Sequence, residues 1–310
     1  MRSRILIIGS GAVGAVYGHH LVKAGCQVNF LVRDRQSPNS SMPRPLHRYR
    51  FVGKPVTEQQ HLRVLTQAHR HWDQVWLTLP SDALYSDWLA EQLAVFDDHT
   101  PLISWTPDFR DQAQLQQLWR GPLQRGLIGL ISFHTPLPQQ STPESGFGYL
   151  LPPRSAMLDN SPAGRQAAAL LRAGGLPSTV MKDLDWFAAR STALMITAIS
   201  ALELADWSLA KLAHSHWLSE ASRAAREATA ISAAFLGHRG SNHVPGPLLL
   251  RALMALAPRV MPFDLESYLR YHFSKVSKQT RLMLDHWRDE GQHRALPTTA
   301  LEKLRAAFPA

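Results

Sequence analysis

The chain has 310 residues, 45% of them hydrophobic and 18% charged, a balance that excludes a disordered chain and predicts about two globular domains. Its 33 Lys and Arg outnumber 24 Asp and Glu by nine, yet the cations are scattered, with Arg44, Arg48 and Arg50 as the densest group. That pattern suits small anions better than nucleic acid, which needs clustered phosphate contacts. The single cysteine, Cys26, excludes an internal disulfide and a cysteine-based zinc or iron–sulfur site, and no metal is expected.

The chain opens Met1-Arg2-Ser3-Arg4-Ile5, with no apolar signal-peptide core before the first strand-like run. Its longest apolar stretches, such as residues 5–8 and 193–201, fall short of the roughly 20 residues that span a bilayer. No membrane association and a cytoplasmic location are therefore expected.

Ile5-Leu6-Ile7-Ile8 reads as a buried parallel strand. A glycine-rich turn follows, then a helix to about Ala24 with Gly25 just past its end, then a second strand over residues 28–32. This βαβ opening demands a parallel sheet covered by helices. Residues 36–45 read as a loop, and residues 51–66 supply one or two short strands. The strand over 74–79 is stopped by Pro80, and a helix starts at Ser81 or Asp82, either of which suits an N-cap. Further strands are predicted over 101–105, 127–133 and 146–151, with helices over 108–119 and 162–173.

After about Lys182 the chain becomes alanine- and leucine-rich with helical spacing. Helices are predicted over 185–212, 217–236, 246–256, 263–290 and 298–307. Met195, Ile199 and Leu202 recur at core spacing on the first of them. The expected fold is α/β: a Rossmann-type doubly wound parallel sheet over 1–182, followed by an all-helical domain over 183–310.

Gly9-Ser10-Gly11-Ala12-Val13-Gly14 is a G-x-G-x-x-G between that first strand and helix, the context in which the motif binds a dinucleotide. Gly9 permits the turn, Gly11 lets a pyrophosphate approach, and Gly14 lets the helix lie against the strand. Amides of the helix N-terminus then face the phosphates. At the end of the second strand stand Arg33, Asp34 and Arg35. Arg33, backed by Arg35, favours the 2′-phosphate of NADP(H), while Asp34 is the competing reading, a ribose-binding acid for NAD.

Together with Ala15-Val16-Tyr17-Gly18, Leu21-Val22-Lys23-Ala24-Gly25 and Val28…Arg33, this turn closely resembles the opening of the ketopantoate reductase family. The likeness continues through Thr78-Leu79, Trp186 and a terminal Leu296-Pro297…Leu301…Leu304 segment. It implies reduction of 2-dehydropantoate to pantoate with NADPH, on the route to pantothenate. It also implies contacts to the cofactor from Gly9–Gly14, Arg33, Leu79 and Pro80, a substrate cleft between the two halves, and a homodimer through the helical half.

The chain departs from the family at its catalytic positions. Where the family has a lysine after Thr-Leu stands Pro80, the loop after the fifth strand reads Trp105-Thr106-Pro107 without its asparagine, and the general-acid lysine is replaced by Ala188. The asparagine positions fall on Thr192 and Ile196, and the Ser-Ser-to-glutamate stretch reads Phe273-Ser274-Lys275-Val276-Ser277-Lys278-Gln279-Thr280.

Reduction of a 2-keto acid still needs a carboxylate clamp and a proton donor. Arg190 can clamp but lies on nearly the opposite helix face from Ala188, turned to solvent or an acid. His272, Lys275 and Gln279, spaced three and four apart, can share one helical face. We therefore expect Lys275, His272 and Arg190 as catalytic groups and Thr192 and Gln279 as substrate contacts. Trp105 and Trp186 read as cleft or core packing, Asp82 as an N-cap, and His134 as a residue after the sixth strand, near where the resemblance puts the nicotinamide but without an expected role. The competing readings are a reductase of another small keto acid and a catalytically degenerate NADP(H)-binding protein of the same fold.

Overall fold

The computed structural model describes residues 2–33, 44–60, 63–138, 144–239 and 243–308. Asp34 and Arg35 lie outside the described residues. The chain forms two compact units, Met1–Leu184 and Asp185–Ala310.

The first unit contains β1 (Arg4–Ile8), α1 (Ala12–Lys23), β2 (Gln27–Leu31), β3 (Arg44–Tyr49), β4 (Val56–Gln60), β5 (Val64–Leu65), β6 (Gln74–Leu77), α2 (Asp87–Leu93), β7 (Leu102–Ser104) and α3 (Asp111–Leu118). It continues with β8 (Leu123–Ile128), β9 (Ile131–Thr135), β10 (Gly146–Leu150), β11 (Ala156–Asp159), α4 (Pro162–Ala173) and β12 (Ser178–Met181). Eight strands form the main sheet in the order β12-β11-β8-β7-β6-β1-β2-β5. All its neighbours pair in parallel except β11 with β8.

The alternation of side chains along β1 explains the double winding. Ile5 and Ile7 join the core under α1 and α4, and Leu6 and Ile8 join the opposite core with Leu84, Leu89, Leu93 and Leu115. Helix α4 follows its local code closely. Ser161 Oγ accepts the Gly164 amide at 2.9 Å, and Pro162 occupies the first turn.

A second, four-stranded sheet of order β4-β3-β10-β9 has no counterpart in the sequence reading. Residues 44–49, in and beside an expected loop, form β3 and pair in parallel with β10. The run 127–133, expected as one strand, is two: β8 stays in the main sheet and β9 joins the second. The corner is made by Ser155, whose carbonyl accepts both the Gly129 and Leu130 amides, at 3.0 and 2.8 Å. A side chain at Gly129 would start 1.9 Å from the Arg154 carbonyl oxygen, so only glycine lets the chains pass. His134 consequently sits in β9, exposed, with its ring against Phe147 at 4.8 Å.

The helix expected from Ser81 or Asp82 is a single 3₁₀ turn, Ser81–Tyr85, after which α2 begins at Asp87. Ser81 lies inside this turn, whose N-cap is Pro80, and its hydroxyl is donated to Asp111 at 2.8 Å. Asp82 caps nothing and is exposed. The helix expected from Asp108 starts at Asp111, since Asp108 is used, fully buried, in the turn before it.

The second unit is helical: α5 (Leu184–Leu204), α6 (Leu209–His214), α7 (Trp217–Leu236), α8 (Pro247–Val260), α9 (Leu265–Lys275), α10 (Ser277–His293) and α11 (Thr299–Ala306). The helix expected over 185–212 is interrupted because Asp206 and Trp207 adopt left-handed torsions, φ 54° and 60°. The helix expected over 263–290 starts later, at the Asp264 cap, and breaks at Val276, which leaves helical torsions with φ −107° and ψ 22°. Helix α8 runs to Val260, with Pro258 in its last turn, and leaves Leu248, Leu249, Leu253, Leu256 and Val260 exposed.

Met195 is not a core residue: it is 43% exposed, whereas Ile199 and Leu202 on the same helix are buried. Helix α5, at 21 residues, is also longer than its apolar core suggested and reaches a membrane-spanning length and composition. More than half of that stretch is buried inside the fold, as for the core helix of a globular unit.

The core of this unit is built on close approach. Trp287 is fully buried and its Nε1 donates to Ser232 Oγ at 2.9 Å. The Glu227 carboxylate accepts the Ala300 and Leu301 amides at 2.9–3.0 Å, which satisfies the N-terminus of α11.

Candidate active site

The glycine-rich turn links β1 to α1 at the carboxyl end of β1, an interior strand between β6 and β2, where open α/β sheets bind ligands. Its shape follows from two glycines. Gly9 has φ +110°, a conformation that side chains resist, and a Cβ on Gly14 would lie 2.3 Å from the Gly9 carbonyl oxygen. Thr78, just past β6, clamps the turn from the other side: its hydroxyl lies 3.2 Å from the Ile8 carbonyl and 3.1 Å from that of Gly9. Gly11 differs. It is the N-cap of α1, and a Cβ there would meet nothing within 4 Å. The turn therefore leaves open space at Gly11, facing first-turn amides that have no partner within an α-helix. Ser10, Ala12 and Val13 complete this cradle.

Beside the turn lies a cavity of about 330 Å³ lined by Gly9, Leu31, Val32, Arg33, Leu79, Pro80, Asp82, Ala83, Ser86 and Trp88. Four of the residues expected to touch a cofactor, Gly9, Arg33, Leu79 and Pro80, thus share one wall. Arg33 is exposed, and its guanidinium carbon stands 5.3 Å from the centre of the Trp88 ring. Among the described residues it forms no ion pair, although Asp82 lines the same cavity. The donor set fits a dinucleotide: amides for the pyrophosphate, open space for its approach, and an arginine at the end of the second strand.

Behind the Pro80 wall the loops after β6 and β7 are tied by buried polar groups. Asp111 Oδ2 accepts the Ser81 hydroxyl at 2.8 Å and the Asp108 amide at 2.9 Å. Burial and the neighbouring Asp108 charge push the Asp111 carboxyl well above the usual carboxylate range. Trp105 packs as expected from its composition: it is buried against Tyr17, with ring centres 4.3 Å apart, and against Trp76.

In the helical unit the expected catalytic groups do not form one face. The i, i+4 relation between Lys275 and Gln279 is lost, because Val276 separates α9 from α10 and the two residues stand on different helices. His272 and Lys275 remain together on α9. The Lys275 ammonium lies 3.8 Å from the centre of the Tyr271 ring. Arg190 is exposed, as expected, and pairs with no acid among the described residues. Its Nε and Nη2 donate to the His243 carbonyl at 3.1 and 2.6 Å. Thr192 is 2% exposed, and Ala188 is buried. Trp186 stacks on His238 with ring centres 4.2 Å apart.

Trp88, Thr78 and Asp111 were not readable as site residues. Their partners come from other elements, and Thr78 was marked only as part of the Thr78-Leu79 likeness, not as a clamp on the turn.

A doubly wound sheet with this turn at the end of β1, together with an all-helical second unit, defines a two-unit Rossmann-type fold. Residues 5–45 match the family model described as ketopantoate reductase PanE/ApbA. Among curated protein sequences none matches the chain.

Solved structures share the fold at low identity. The PanE/ApbA family ketopantoate reductase from Ralstonia eutropha JMP134 is 16% identical, with TM-score 0.73 over 98% of this chain and 96% of its own. The dimeric ketopantoate reductase from Staphylococcus aureus is 12% identical, with TM-score 0.71 over 98% of this chain and 96% of its own. D-mandelate dehydrogenase with NADH and anilino(oxo)acetate is 14% identical, with TM-score 0.72 over 98% of this chain and 96% of its own. The chain thus resembles the ketopantoate reductase family in its opening sequence and in its fold.

Proposed function

We propose that the chain is a divergent, NADP(H)-dependent oxidoreductase of the ketopantoate reductase kind that reduces a small 2-keto acid, with 2-dehydropantoate the first candidate. The observation that carries this reading is the Arg33-lined cavity beside an unobstructed Gly11. A bound reduced nicotinamide supplies hydride to the carbonyl carbon. The residues of this chain supply the rest: Gly9–Gly14 hold the pyrophosphate, Arg33 holds the ribose phosphate, and Leu79 and Pro80 wall the adenosine. Lys275, beside His272, gives the carbonyl oxygen its proton. Arg190 keeps Nη1 for the substrate carboxylate, and Thr192 and Gln279 complete the substrate contacts.

Loss of NADPH absorbance with ketopantoate tests the reading, and turnover by the purified protein is the expected result. Lys275→Ala is expected to lower kcat by about 10²–10⁴, the usual cost of losing a positioned acid. Unchanged kcat in that variant removes Lys275 from the chemistry. Arg33→Ala is expected to weaken NADPH about 10–100-fold and to leave NADH unchanged, as for a lost charge-assisted contact. Equal weakening of both cofactors, measured by fluorescence titration, rejects NADP(H) selectivity.

One observation favours a second reading. Ala188, buried and without a titratable group, stands where the resemblance expects lysine. NADPH binding without turnover of ketopantoate or other 2-keto acids is the result expected of a degenerate binding protein. A homodimer belongs to the first proposal, since the Staphylococcus aureus neighbour is described as dimeric. Sedimentation of the purified chain as a monomer overturns it. A cytoplasmic location without membrane or nucleic-acid partners completes the proposal.

A further inference from the structure

We propose that Trp88 is a positioning residue that sets the preference for a phosphate on the adenosine ribose, by presenting the Arg33 guanidinium at the cavity mouth. The inference rests on the dinucleotide reading above and extends it to a residue of α2. Three observations meet at Trp88. It lines the same cavity as Gly9 and Arg33. Its ring carries the Arg33 guanidinium, whose carbon lies 5.3 Å from the ring centre. Its other contacts are with the core beneath, where its helix neighbours Leu89 and Leu93 are buried, so the indole is held from below.

The physical argument concerns freedom rather than charge. An exposed arginine at a strand end samples many rotamers, and a phosphate that recruits it must order the side chain first. An indole face attracts the guanidinium electrostatically and limits that sampling. A guanidinium held over a ring keeps its N–H donors available around its edge for a bidentate phosphate contact. The same contact gives Arg33 a partner other than Asp82. That carboxylate shares the cavity, and pairing with it would occupy the donors the phosphate needs.

Trp88 therefore acts only through Arg33, and only on a ligand that bears the ribose phosphate. A dinucleotide without it gains nothing from an ordered Arg33.

The test uses the full chain and measures the dissociation constants of NADPH and NADH by fluorescence titration in wild type, Trp88→Leu, Trp88→Phe, Arg33→Ala and the double variant Arg33→Ala with Trp88→Leu. Leucine keeps apolar bulk against the core and removes the ring, so the variant remains folded. Phenylalanine keeps a ring. Trp88→Leu is expected to weaken NADPH about three- to tenfold and NADH not at all, in line with the range of cation–π contributions. Trp88→Phe is expected to retain most of the preference. In the Arg33→Ala background Trp88→Leu is expected to change neither constant.

Equal weakening of both cofactors makes Trp88 a plain cavity wall and overturns this inference while the dinucleotide reading stands. An effect of Trp88→Leu on the preference that persists without Arg33 overturns it too. A wild-type chain that binds neither dinucleotide overturns the reading of the site itself, and this inference with it.

Discussion

Gly11→Ala is expected to leave folding stability unchanged and to weaken dinucleotide binding about 10–100-fold, whereas Gly14→Ala is expected to damage the fold first. The two glycines belong to one motif but meet different surroundings. A methyl at Gly11 enters open space, so no protein atom resists it. It occupies the approach of a pyrophosphate to the α1 amides, and the loss of one or two such hydrogen bonds corresponds to that fold-change. A methyl at Gly14 starts 2.3 Å from the Gly9 carbonyl oxygen and 2.7 Å from Thr78 Oγ1. Neither atom can yield, because Thr78 is itself bonded to that carbonyl. Overpacking of this kind costs about 1–3 kcal/mol. Denaturant midpoints and titrations with NADPH separate the two outcomes. A stability loss in Gly11→Ala matching that of Gly14→Ala removes the distinction, and with it the claim that Gly11 faces a ligand.

Acidification is expected to destabilise the first unit through His20. This side chain is 1% exposed on α1, and Nδ1 lies 2.7 Å from the Gly174 carbonyl, which fixes Nδ1 as the donor. Burial, with added repulsion from His19, Lys23 and Arg48, lowers its pKa to about 4, from 6.5 in the unfolded chain. Below that unfolded value the unfolded chain takes a proton that the folded chain refuses. Stability is therefore fully present above about pH 6.5 and is lost as pH falls toward 4, by about 3 kcal/mol at most.

Asp111 changes stability in the opposite direction, because its raised carboxyl pKa favours the folded state when protonated. The measurement therefore compares wild type with His20→Phe, so that the Asp111 contribution cancels. The stability difference between them is expected to shift by about 2–3 kcal/mol against wild type between about pH 7 and pH 4.5. A difference that stays constant across that range overturns the assignment.

The legible parts of the fold are those whose causes are local. The βαβ opening, the Ser161–Pro162 start of α4 and the Gly237 end of α7 each carry their cap or their alternation within a few residues. The turn at Gly9–Gly14 is legible for the same reason. The parts that escaped have causes elsewhere in the chain. The corner after β8 is made by the Ser155 carbonyl, and β3 exists because β10 lies beside it. At the site, Arg33 could be read from its position after a strand, but its partner Trp88 arrives from a later helix. The expected His272–Lys275–Gln279 face failed on one residue, Val276, whose torsions no spacing rule reports.

The four-stranded sheet ties synthesis order to completion of the first unit. The chain leaves the main sheet twice, once between β2 and β5 to make β3 and β4, and again between β8 and β11 to make β9 and β10. The strands of the two excursions are joined by the parallel pairing of β3 with β10. During translation β3 therefore waits with a bare edge until β10 emerges. Such an edge is a template for wrong partners. Removing either excursion would leave that edge bare and would also open the core under α1, to which Leu46, Phe147 and Tyr149 belong. The two excursions thus complete one another and the core of the unit they leave.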